Sequence, residues 1–125
     1  MPLADRQQDS HPDRLALELR FPPLDRDLEG VVIHVVIEDV GEADAPAPRL
    51  GGADVTGKTI RRSDGRLSLE LPLPDLAGAA VPAIRVHVDR SGAGRIAVGD
   101  FVNPSRAELP ADPAAPLQIE LVEVR

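Results

Sequence analysis

The stretch DRSGAGRIAVGD, Asp89 to Asp100, carries the residue types in this chain that come nearest to a metal-binding pattern. Asp89, Ser91 and Asp100 hold the first, third and twelfth positions, with Gly94 sixth and Ile96 eighth, which is the spacing of a calcium loop. Calcium takes about six to eight oxygens. Here the fifth position is Ala93, the last ligand is a short Asp instead of a bidentate Glu, and Arg90 and Arg95 add repelling charge. Any calcium affinity is therefore expected to be weak, and no other cofactor is expected. A glycine-rich turn whose Asp side chains cap backbone amides explains the same residues.

His34 is the lone polar residue in the apolar run VVIHVVI. A histidine there could serve as a general base or a ligand. With no second His or Cys at ligand spacing, a hydrogen-bonded sheet residue is the simpler reading. His87 is expected on a solvated face beside Arg85, and His11 lies in the N-terminal arm. Glu38 and Asp39 are neighbours, so a strand would send them to opposite faces, and Asp39 is expected to cap the turn that follows. No serine sits in a G-x-S-x-G context. The paired glycines lack the lysine and the helix of a phosphate loop.

Period-two patterning supplies the elements that must position these residues. Leu15, Leu17, Leu19 and Phe21 alternate with polar or small residues until Pro22-Pro23 stops the strand. Val31 to Ile37 is apolar on both faces and is expected to be a central strand covered on both sides. Gly41 to Asp54 reads as a long loop, with a short helical turn near Glu42 to Ala45. Val55 to Arg62 and Arg66 to Leu73 flank Ser63-Asp64-Gly65, a hairpin signal. Ala83 to Asp89, Arg95 to Val98 and Leu117 to Leu121 complete the set. The thirteen prolines rule out long helices. The expectation is an all-β fold, an antiparallel β-sandwich of about seven strands, with a small β-barrel as the alternative. Residues 1–13 are expected to form a flexible arm, and residues 14–125 a single domain.

Bulk properties narrow the partners. The net charge is −7, and the chain has no Trp, Tyr or Cys and only two Phe. Phosphate backbones and anionic membranes reward basic surface, and single strands reward aromatic platforms, so neither nucleic acid nor membrane is expected. Thiolate metal sites and disulfides are excluded outright. Met1 to Arg14 is polar, without the apolar core of a signal peptide, which predicts a cytoplasmic protein as written, or a periplasmic one if a leader has been removed.

Two stretches carry a family resemblance: VVIHVVIEDVGEADAPAPRL, Val31 to Leu50, and AIRVHVDRSGAGRIAVGDFVN, Ala83 to Asn103. In both, the chain resembles the YbaY family of small bacterial lipoproteins, related to the YscW pilotins of type III secretion. The resemblance implies a β-sandwich with a role in binding or assembly, and no catalytic residues to carry over. The family's lipidated cysteine has no counterpart in this sequence.

The functional expectation is therefore a non-catalytic accessory module that docks on a larger protein partner. The candidate contact residues are His34, Arg90, Arg95, Phe101 and Asn103. The alternative is a small cofactor-free enzyme of isomerase or cyclase type, working in an apolar pocket with His34 or Glu38 as base. A homodimer stays open, because strand edges pair unless they are blunted.

Overall fold

The computed structural model describes residues 14–41, 45–109 and 115–125. The arm expected at residues 1–13, and Glu42 to Asp44 of the expected helical turn, lie outside the described residues.

The described chain is all-β, with strands β1 (Arg14–Arg20), β2 (Leu28–Asp39), β3 (Arg49–Ile60), β4 (Arg66–Pro72) and β5 (Pro82–Asp89). They are followed by β6 (Phe101–Val102), β7 (Ala107–Glu108), β8 (Leu117–Glu120) and β9 (Val122–Glu123). Two sheets form. The larger runs β9-β6-β5-β2-β3, with β7 also pairing with β5, and the smaller runs β4-β1-β8. All pairings are antiparallel except β1 with β8, which is parallel. This is the expected β-sandwich, and neither sheet closes into a barrel.

Alternation builds the core. Leu15, Leu17 and Leu19 of β1 and Leu69 and Leu71 of β4 are buried, and they face Val31, Ile33, Val35 and Ile37 of β2 together with Ile84, Val86 and Val88 of β5. A buried aliphatic side chain stabilises by about 1.5–3 kcal/mol, so this leucine-and-valine interior holds the two layers together with little aromatic help. Phe21 and Phe101, the only aromatics, meet edge to face with centroids 5.3 Å apart.

The structure corrects several expectations. β2 is buried on one face only: Val32, His34 and Val36 alternate with the core residues and stay half-exposed. The long loop expected from Gly41 to Asp54 is shorter, because β3 begins at Arg49 and takes Gly51-Gly52 into the ladder opposite Ile37 and Val36. The turn before Gly65 forms, with the Asp64 and Gly65 amides donating to the Arg61 carbonyl at 3.0 and 2.8 Å, yet no hairpin follows. β3 belongs to the larger sheet and β4 to the smaller, so the turn is a corner between layers. Its Leu-rich alternation pairs β4 instead with β1, Leu17 opposite Leu69 and Leu15 opposite Leu71. The strand expected at Arg95 to Val98 is absent, and that segment is exposed loop. The last strand changes sheets at Leu121, whose amide donates to the Arg20 carbonyl at 2.8 Å. Val122 beyond it pairs with Val102 in the larger sheet.

Candidate functional site

The outer face of the larger sheet carries the chemistry. His34 on β2 lies opposite His87 on β5 and opposite Asp54 on β3. Because side chains alternate, the two imidazoles stand on the same solvent-side face. Their rings are 5.2 Å apart and tilted by 34°. His34 Nδ1 donates to Asp54 Oδ1 at 2.9 Å, and Nε2 donates to Asp89 Oδ2 at 3.1 Å. An ionised carboxylate has no proton to give, so this pair of contacts favours the protonated ring, in which both nitrogens are donors. The hydrogen bonds to Asp54 and then Asp89 raise its pKa above 6.5 against a smaller opposing effect of burial. His87 Nε2 donates to Asp100 Oδ2 at 2.7 Å, so this half-buried histidine is held by a carboxylate and does not stand on a merely solvated face.

The two ends of the Asp89 to Asp100 segment are both buried carboxylates. Asp89 accepts the Gly92 amide at 2.9 Å on Oδ1 and the Gly94 amide at 2.8 Å on Oδ2. Ser91 Oγ donates to Oδ1 at 3.4 Å and accepts the Ala93 amide at 3.3 Å. Asp100 accepts the Arg90 amide at 3.0 Å on Oδ1 and the Ala97 amide at 3.0 Å on Oδ2. Gly92 and Gly94 have φ of +77° and +90°, which lets the loop turn its amides inward. Burial pushes the Asp89 carboxyl up, but His34 and the two glycine amides outweigh it and bring it down to about 2. Asp100 is likewise lowered, with burial outweighed by His87 and the Arg90 and Ala97 amides.

One ligand atom from each of His87, Asp89 and Asp100 falls within 4.8 Å of the others. All four carboxylate oxygens of this group already accept N–H donors, which would compete with a cation for them. The geometry is that of a glycine loop capped from both ends.

A groove of about 540 Å³ opens over this face. His34, Val36 and His87 line it from the sheet, Arg49 and Asp54 from β3, and Ile96 and Arg95 from the glycine loop. Of the expected contact residues, His34, Arg95 and Asn103 line the groove. The Asn103 side chain is engaged structurally: Oδ1 accepts the Val86 amide at 2.8 Å, and Nδ2 donates to the Ile84 carbonyl at 3.0 Å. Arg90 is exposed but lies outside this groove, and Phe101 is buried against Phe21 as a core residue. Sequence reasoning missed Arg49, Asp54, Arg85, Ile96 and Val102 as lining residues. Alternation with His87 was a usable signal for Arg85, whereas Arg49 and Asp54 were hidden inside an expected loop.

Glu38 and Asp39 keep separate roles. Arg85 grips Glu38 with Nη2 at 2.9 Å and Nε at 3.3 Å, and Arg106 Nε adds a bond at 3.1 Å. The Arg85 hydrogen bonds hold the Glu38 pKa down despite burial. Asp39 caps the turn as expected, accepting the Gly41, Ala80 and Val81 amides at 2.9–3.0 Å.

These groups set a pH profile for stability. His34 has a raised folded pKa, so its contribution is complete below about 6.5 and is lost as pH rises through the higher folded value. The depressed carboxyls of Asp89, Asp39 and Asp100 contribute above about 3.8 and are lost as pH falls through their folded values. Stability should therefore peak between these limits. Denaturant midpoints measured across pH should decline on the alkaline side, and His34→Gln should flatten that decline. An alkaline limb unchanged in His34→Gln would assign it to another group.

The fold and site together define an all-β sandwich whose larger sheet presents a histidine-lined open groove. No protein-family profile and no curated protein matches the chain. Among solved structures, it is similar to an alternative pilotin from the type II secretion system of Vibrio cholerae. The TM-score is 0.63 at 16% identity, with 90% of this chain and 96% of that one covered. At that identity the shared property is the fold.

Proposed function

We propose that the protein is a non-catalytic accessory module that docks on a larger protein partner through the groove over His34 and His87. The carrying observation is the condition of the histidines. His34 lines an open, ligand-sized groove, but both of its ring nitrogens are engaged by carboxylates, so a substrate would have to displace Asp54 or Asp89 to reach either one. The alternative of a cofactor-free enzyme draws its support from the same groove, since His34 does line a ligand-sized space. It asks for a free base, whereas His34 is engaged by Asp54 and Asp89, and Glu38 by Arg85 and Arg106. The fold shared with a pilotin, and the resemblance to YbaY and YscW proteins, support an accessory role in assembly.

Ile96 is 55% exposed at the groove, on a loop held by amide caps instead of side-chain packing, so Ile96→Asp should spoil docking without unfolding the chain. Wild-type protein immobilised in native cell extract should retain a stoichiometric partner, identified by mass spectrometry, that Ile96→Asp loses. Retention of the same partner by Ile96→Asp would remove the groove from the reading.

A further inference from the structure

The charges around the groove are unlike those of the chain as a whole. The protein carries a net −7, yet three guanidinium groups, Arg49, Arg85 and Arg95, line the groove against a single exposed carboxylate, Asp54. Asp54 is already bonded to His34. Asp89 and Asp100, which also stand near the imidazoles, are buried and capped by amides, so they present no accessible oxygen to an incoming ligand. Arg85 is shared with Glu38. Arg49 and Arg95 are exposed and take part in no ion pair among the described residues. Unpaired guanidinium groups are fork-shaped donors suited to carboxylates. Beside them, Ile96 is exposed and Val102 half-buried, which provides an apolar contact on the same surface.

The dimensions limit the occupant. The lining residues that belong to strands come from β3, β2, β5 and β6, three strand spacings across. At about 4.8 Å per spacing that is about 14 Å, the length of about four extended residues.

Resting on the docking role above, we propose that this groove selects an acidic segment of the partner protein. About four extended residues would lie across the sheet, their carboxylates meeting Arg49 and Arg95 and one apolar side chain packing on Ile96 and Val102. The locally basic groove on an acidic protein then acts as a filter. Acidic surfaces in general are repelled by the chain, and only a segment able to reach these two arginines is held.

The test is a displayed library of random peptides panned against the immobilised full chain, followed by fluorescence anisotropy of the enriched peptides. Enriched sequences should combine Asp or Glu with Leu, Ile or Val. The double variant Arg49→Glu/Arg95→Glu should weaken their binding by about tenfold or more, and added salt should weaken it too. Both substitutions are at exposed positions, and an unchanged circular dichroism spectrum would establish that the fold survives. Neutral or basic peptides that bind wild type and are lost by Ile96→Asp would overturn acidic selection while leaving groove docking intact. Peptides that bind Ile96→Asp as well as wild type, or no enrichment at all, would overturn both.

Discussion

Asp89→Ala should destabilise the protein by about 1–3 kcal/mol, the cost of removing a buried acceptor from the charged and amide donors gathered on it. The carboxylate is fully buried and is the point where three elements meet: β2 through His34, β5 through its own backbone, and the glycine loop through the Gly92 and Gly94 amides. Its loss leaves those two amides without their acceptor and His34 Nε2 without a partner, although Gly92 and Gly94 lie in exposed loop and His34 is half-exposed, so water can meet part of this loss. The loop that carries Arg95 and Ile96 should loosen with it. Asp54→Ala removes the other His34 partner, but that side chain is 68% exposed and water can replace it. Urea unfolding of both variants separates the cases: a large drop in midpoint for Asp89→Ala and a small one for Asp54→Ala. Equal drops would show that the loop does not depend on the buried cap.

The second large effect is expected at Gly52. This residue has φ of +143°, a conformation that side-chain-bearing residues rarely adopt, and a Cβ placed there would run into the Val35 carbonyl oxygen. Gly52→Ala therefore combines backbone strain with a collision against the neighbouring strand, and should cost about 3 kcal/mol or more. Gly57, in the same strand, provides the comparison. It sits at a bulge where Thr56 and Gly57 together oppose Val32, with φ of +73° and open space around its Cβ position. Gly57→Ala should cost only the left-handed backbone strain, about 1–2 kcal/mol. Thermal melts of the two variants should differ clearly. Similar melting temperatures would contradict the close approach of β3 to β2 at Gly52.

The role of Gly52 also shows why part of the fold was not legible. Paired glycines flanked by proline and alanine read as loop from local composition, because glycine weakens an isolated strand. In the folded protein the same two residues are required by their neighbours: Pro74 lies 2.8 Å from where a Gly51 Cβ would stand, and the Val35 backbone crowds Gly52. Only the approach of other segments turns a local breaker into the fitting residue. Asp54 followed the same path. Read as part of a loop it had no partner, and it became a histidine partner once β3 was extended into the ladder beside β2.

Which residues face inward was legible from the local pattern alone. Leu15, Leu17 and Leu19, and Ile84, Val86 and Val88, are buried as their period of two requires, because alternation along a strand is a local property. The class was legible too, since thirteen prolines and short apolar runs leave room for strands and none for long helices. Which strand lies beside which depends on contacts between distant segments. The turn before Gly65 is as good a corner as it is a hairpin, and the choice was made by β4 fitting its leucines beside those of β1, far away in sequence. The same holds for the site. His34, Asp54, Asp89 and His87 stand together because three strands meet in register, and register depends on pairing between distant segments that no local pattern records.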